Sequence, residues 1–256
     1  METNPPGNDG EIITEDTSPN THKTAFALLE IELPHGRVLD IPCGHGAFTK
    51  RLLDNHYEVI AADCLENCQV KNAEFLKADM NLSIPLEDHS VDAVVCLDGI
   101  EHLERPFDFI AECKRIIKDD GVVIISTPNI SSLRSRWRWL FTGFHNKDKT
   151  PLDETNPSPW HHIHMLPYHK LRYMLHREGF RIINIATNRI KPVNWLYSPL
   201  ILPSFLLTQF VFLNEEKDPG QRRRNKEILR QMFSKQMLFG ETLIVKAKAG
   251  TGQPST

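Results

Sequence analysis

The chain has 256 residues, enough for one α/β domain with a sizeable core. Its 30 Lys and Arg stand against 33 Asp and Glu, a formal net charge of −3. That balance excludes a global basic field and argues against DNA as a partner. The five cysteines, Cys43, Cys64, Cys68, Cys96 and Cys113, are odd in number, and no secretory signal opens the chain. They read as reduced thiols of a cytoplasmic protein.

Met1 to Thr17 is rich in Asn, Pro, Gly and acids, has no periodicity, and reads as a disordered leader. Ser18-Pro19 then starts a helix carrying Phe26, Leu29 and Leu33, and Pro34-His35-Gly36 stops it. Val38, Leu39 and Ile41 form a short buried strand. Gly44 and Gly46 turn the chain tightly, and Phe48, Leu52 and Leu53 follow at helical spacing. Glu58 to Ala62 is a second strand that ends on Asp63. Strand, glycine turn, helix, strand, acid is a nucleoside-binding unit, with the acid placed to grip a ribose diol. Thr49 stands where a dinucleotide fingerprint wants its third glycine, and the Gly-Lys-Ser/Thr of a phosphate loop is absent.

What remains is acid-x-x-x-Gly-x-Gly, Asp40 to Gly46. It resembles motif I of the class I S-adenosylmethionine-dependent methyltransferases. Pro42 departs from that pattern, since the family often has glycine there and proline lacks a backbone donor. Further on, Glu74 to Asp79 reads as a short third strand. The resemblance implies that Asp79 accepts from the adenine amino group and that Met80 packs on the ring; a solvated strand-end acid is the alternative. Val91 to Leu97 is nearly all apolar, a central strand buried on both faces. Beyond its carboxyl end, Asp98, Glu101 and His102 point toward the cleft. Phe107 to Lys118 is an amphipathic helix and Val122 to Ser126 a fifth strand. The similarity spans Arg37 to Asn129 and resumes over Leu166 to Ile185. It implies a Rossmann-like α/β fold with a seven-stranded, mostly parallel sheet over residues 18–249. It implies S-adenosylmethionine as cofactor, held by Asp40, Pro42, Gly44, Gly46, Asp63, Cys64, Asp79, Met80, Leu97 and Asp98.

Two stretches depart from a compact core. Residues 130–165 hold the run Leu133 to Phe141, which mixes Arg with Trp, and the cluster His161-His162-Ile163-His164. Residues 192–224 hold the most apolar segment, Val193 to Leu213, followed by Arg222-Arg223-Arg224. Both are expected to be lid or substrate insertions. Polar and proline breaks make the second a poor membrane span, so a cap over the cleft competes with a peripheral membrane contact. Gly240 to Ala247 is a last strand, and residues 250–256 are a loose tail.

Methyl transfer from a sulfonium mainly requires an acceptor placed in line. His102 is the expected base for a hydroxyl acceptor, its alternative role being to position a loop. The expected acceptor is a small-molecule or lipid-linked hydroxyl, as in the similar quinone-pathway and cell-envelope methyltransferases, and no metal is expected. Two alternatives stand beside this. Asp98, Glu101 and His102 with His161, His162 and His164 resemble the divalent-metal site of small-RNA terminal 2′-O-methyltransferases, although RNA is disfavoured. A cofactor-binding partner subunit without activity is the other.

Overall fold

The protein, seen in a computed structural model that describes residues 13–148, 150–216 and 218–250, is built around one seven-stranded sheet. The strands are β1 (Arg37–Asp40), β2 (Glu58–Asp63), β3 (Glu74–Lys77), β4 (Val91–Cys96), β5 (Ile117–Pro128), β6 (Phe180–Thr187) and β7 (Thr242–Ala249). Their order is β3-β2-β1-β4-β5-β7-β6. The first five run parallel, and β7 is inserted antiparallel to both β5 and β6. The central strands are apolar on both faces because helices cover both. Alternate residues of β4 choose opposite sides: Ala93 and Val95 pack with α1 (Thr21–Glu32) and α2 (Ala47–Asp54), Val94 and Cys96 with α3 (Pro106–Ile116) and α5 (Tyr168–Arg177). Leu29 and Leu52 anchor the first layer, and Phe109, Ile110 and Leu171 the second; all five are fully buried.

The connection from α3 into β5 differs from the expected one. The strand begins at Ile117, directly after the helix, and the register with β4 slips between Val91 and Ala93. Asp119-Asp120-Gly121 forms the bulge between Ile117, which pairs with Val91, and Val122, which pairs with Ala93.

The expected leader is corrected where it is described. Glu15 is paired with Arg51 of α2 at 3.0 Å, and Asp16 with His45 at 2.6 Å, so residues 13–17 lie against the carboxyl edge of the sheet. Glu15, an acid that reads as solvated in isolation, finds a cation on a helix 36 residues away. Residues 1–12 of that leader, and 251–256 of the expected tail, lie outside the described residues. Gly250 itself is tied down, its N–H donating to the Gly179 carbonyl at 3.0 Å.

The two insertions take different places. The first contains α4 (Leu133–Thr142), then runs back across the carboxyl edge of the sheet. The second opens with a 3-10 helix, Pro192–Leu200, and continues as an antiparallel pair, α6 (Ile201–Glu215) and α7 (Pro219–Met232), before the short α8 (Lys235–Phe239). Leu133, Leu238 and Phe239 form a small core there, packed by Tyr197, Leu200 and Ile201.

Candidate active site

β1, β2 and β4 all end at one edge, and their last residues supply the floor of the site. Two cavities of about 380 and 480 Å3 open there and share Pro42, Asp63, Asp98, His102 and Trp160. Together they are of the size that holds a cofactor-sized ligand. The first is lined by Asp40, Gly44 and Leu97, with Ser18, Glu101, Lys147 and His162. The second is lined by Cys64, Asp79 and Met80, with Leu65, Leu103 and His161.

Asp63 closes β2 and stands between the cavities. One of its oxygens accepts the Gly44 N–H at 3.0 Å and the other the Leu65 N–H at 3.0 Å. A carboxylate offers about four lone-pair sites, so each oxygen keeps capacity for a hydroxyl donor. Asp79 is exposed, and its Oδ1 accepts the Asn81 N–H at 2.8 Å, which leaves Oδ2 for a ligand. Met80 is buried beside it. Asp63, Asp79 and Met80 thus line one hollow, two acceptors beside an apolar thioether, a set that fits an adenosyl group.

Asp40 is buried and its Oδ2 accepts the Thr49 hydroxyl at 2.6 Å, which ties the end of β1 to the first turn of α2. Burial pushes its carboxyl up to about 7, against the lowering effect of that bond. Gly46 is the one expected contact that lines neither cavity. Its φ is +92°, and a Cβ there would sit 2.7 Å from Val70 and 2.9 Å from Cys68. It serves the turn and the close approach of the loop after β2, not the ligand. Gly99, which the sequence did not single out, plays a similar part: a Cβ would lie 2.4 Å from Pro42 Cδ.

Asp98 turns the chain out of β4 with φ +46°, held by its N–H to Ser126 Oγ at 2.8 Å and by Ser126 Oγ–H to its Oδ1 at 2.6 Å. Burial raises its carboxyl above the usual range, partly offset by Ser126 and Lys147. A 3-10 turn, Ile100–His102, then brings Glu101 and His102 under the chain at residues 161–164. His102 Nδ1 lies 3.0 Å from the His161 carbonyl. A carbonyl only accepts, so Nδ1 carries the proton and Nε2 the lone pair. Burial lowers the pKa of His102 and keeps the ring neutral. His162 stacks edge-on with it at 4.8 Å between ring centres. Glu101 is buried, its Oε2 has no hydrogen-bond partner among the described residues, and burial raises its carboxyl well above the usual range.

Of the six residues that the metal alternative names, three converge. Glu101, His102 and His162 present ligand atoms within 4.8 Å of one another. Asp98 is committed to Ser126, and His164 Nδ1 donates to the Leu103 carbonyl at 2.6 Å, a positioning bond.

The first insertion covers the cleft through Lys147 and Pro157 to His162; the second lines neither cavity, so the cap expected over 192–224 is not formed there. Ser18, Lys147 and Trp160 are cleft residues that the sequence did not mark. Only Trp160, next to the His cluster in a proline-rich loop, carried a usable signal.

A family model described as a methyltransferase domain matches residues 39–125. The chain is 34% identical over 113 residues to a Mycolicibacterium smegmatis protein named as a probable S-adenosylmethionine-dependent methyltransferase, over 42% of this chain and 44% of that one. It is 33% identical over 113 residues to the ubiquinone biosynthesis O-methyltransferase of Rickettsia typhi, over 41% of this chain and 44% of that one. The chain thus spans less than half the length of these relatives. Across 89% of its own length it shares the fold of an Archaeoglobus fulgidus SAM-dependent methyltransferase, with a TM-score of 0.53 at 22% identity over 94% of that chain. Residues 39–125 thus carry a methyltransferase domain, set in a sheet with the order and fold of the class I S-adenosylmethionine-dependent methyltransferases.

Proposed function

We propose that the protein transfers a methyl group from S-adenosylmethionine to a hydroxyl oxygen of a small-molecule or lipid-linked acceptor. The observation that carries the reading is the position of His102, which lines both cavities and whose Nδ1 is held by the His161 carbonyl, leaving Nε2 as the basic nitrogen. The cofactor supplies a methyl already activated by its sulfonium charge. Asp63 holds the ribose diol, while Asp79 and Met80 hold the base. The acceptor enters beside Glu101, Lys147 and His162. As the acceptor oxygen forms its bond to the methyl carbon and the carbon–sulfur bond breaks, the hydroxyl proton passes to His102 Nε2. The His161 carbonyl holds the imidazole in the tautomer that this requires. The Rickettsia relative's name, an O-methyltransferase of ubiquinone biosynthesis, supports oxygen as the acceptor atom.

The test uses catechol and polyprenyl-phenol acceptors with radiolabelled cofactor. His102→Gln is expected to lower kcat by about 10²–10⁴ while S-adenosylmethionine affinity changes less than about twofold. Because burial lowers the imidazole pKa, wild-type activity should persist below the ordinary histidine range near pH ~6.5. A His102→Gln variant as active as wild type would remove the base.

A second reading is favoured by the convergence of Glu101, His102 and His162. A divalent ion held by one carboxylate and two neutral imidazoles would polarise the oxygens of a vicinal diol. Here Glu101 would be ionised by the ion, and His102 would be a ligand and not a base. Activity that falls in chelator and returns with magnesium or manganese selects this reading. Activity unchanged in chelator, with ion content below stoichiometric in the purified protein, selects the first.

A further inference from the structure

α6 is apolar on nearly every side, with Ile201, Phe205 and Phe212 half-buried and its outward face apolar as well. Leu202, Leu206, Leu207 and Phe210 are 65, 55, 66 and 65% exposed, with Pro203 and Val211 on the same outward face. Ser204, Thr208 and Gln209 lie on the half-buried side, where the Thr208 hydroxyl donates to the Ser204 carbonyl at 2.7 Å. A helix meant for water puts these groups the other way round. The neighbouring α4 repeats the pattern. Trp137, Trp139, Leu140 and Phe141 are exposed, and Trp137, Phe141 and Arg138 share a shallow depression with Tyr197 of the 3-10 helix that leads into α6. The two apolar ridges are therefore joined through one packed segment.

We propose that this face, α4 with α6, docks on an anionic lipid bilayer, and that the acceptor is presented to the cleft from that bilayer. The second half rests on the methyltransferase reading above; the first does not. Charge identifies the occupant as lipid. Residues 133–142 and 193–239 hold 10 Lys and Arg against 4 Asp and Glu, although the whole chain holds 30 against 33. Cations border the apolar helix directly: Arg222, Arg223 and Lys226 of α7 share a groove with Phe212 and Gln209 of α6. Tryptophans beside aliphatic surface, rimmed by arginines, suit the headgroup boundary of an acidic leaflet.

The face lies on the bilayer and does not cross it. Pro192–Phe212 is 21 residues long and apolar enough to span by composition. Its first half, however, is fastened to the domain: Asn194 Nδ2 donates to the Phe239 carbonyl at 2.6 Å, and the Trp195 and Phe239 rings lie 4.3 Å apart. The 15 residues of α6 that remain reach only about 22 Å, short of a hydrocarbon core of about 30 Å. Lys147 connects this face to the chemistry, since it lines both the cleft and the crevice that Arg134, Asn194 and Lys191 border.

The experiment is co-sedimentation of the full chain with phosphatidylcholine vesicles, with and without phosphatidylglycerol, beside calorimetric titration of S-adenosylmethionine on the same preparations. The wild type should pellet with the anionic vesicles, more weakly with neutral ones, and less as salt rises. L206Q with F210Q, both on the solvent side, should weaken vesicle binding about tenfold or more and leave cofactor affinity unchanged. R222Q, R223Q and K226Q together should abolish the preference for anionic lipid. A wild type that stays in the supernatant at low salt overturns the proposal. So does a wild-type dimer that L206Q with F210Q turns into a monomer, which would make the face a contact between two copies. Vesicle binding without cofactor binding would leave the docking face standing and overturn the methyltransferase reading instead.

Discussion

Asp40 is one of the buried acids of the cleft, raised by burial to about 7. In the unfolded chain an aspartate titrates near ~3.9, so the folded protein holds this proton more tightly. Its contribution to stability is therefore full below pH ~4, is lost as pH rises toward ~7, and levels off above that. Asp40→Asn keeps an oxygen for the Thr49 hydroxyl and removes the titration. Urea unfolding at pH 5 and pH 7.5 should show the variant gaining on the wild type by an order of ~2 kcal/mol at the higher pH. Parallel profiles would show that Asp40 ionises freely. At this scale much of the site was legible. Asp40, Asp63, Asp79, Met80 and His102 were marked by strand ends and by resemblance, and all line the cavities or their floor. Gly46 was misplaced because a glycine kept for steric room and one kept for a ligand look alike in sequence. Glu101 was marked as facing the cleft and as a carboxylate of the metal alternative, but its depth of burial was not, since burial is a property of the fold.

Among the elements, the first insertion and the segment that leads into the second are joined at one residue. Glu241, just before β7, accepts from Arg189 Nε at 2.6 Å and from Lys191 Nζ at 2.9 Å, and Lys147 of the first insertion lies 3.1 Å away. Burial alone would raise its carboxyl, but the three cations outweigh it and hold it at about 2. A depressed acid stabilises above its unfolded pKa near ~4.3 and loses that contribution as pH falls toward ~2. Glu241→Gln should cost roughly 2 kcal/mol near neutrality, discounted because the cations are partly exposed. The gap in Tm between wild type and variant should narrow from pH 6 to pH 3, and a gap that stays constant would assign the loss to packing. None of this was readable beforehand, because the partners lie 50 and more residues apart and sit in stretches without periodicity. The strands and covering helices were readable, since period-2 and period-3.6 patterns are set locally. The direction in which α6 faces was not: apolar residues on every side of a helix do not say which side meets solvent.

For the molecule as a whole, the parallel half of the sheet builds the edge where the two cavities open, the addition after β5 covers it, and the addition after β6 packs beside that cover. The family's fold accounts for the first, and the chain's own insertions for the rest. That division explains why the cofactor follows from motif I and the strand-end acids, while the acceptor, in the reading proposed above, depends on residues 130–165 and on the face made by α4 and α6. The central claim, that the two hollows at the strand ends bind S-adenosylmethionine through Asp63, is tested by calorimetry of wild type and Asp63→Ala. One site per chain is expected, with affinity reduced in the variant by roughly 1.5–3 kcal/mol, about 10- to 150-fold. An Asp63→Ala protein that folds and binds S-adenosylmethionine as tightly as wild type, or a wild type that takes NAD in its place, would contradict it.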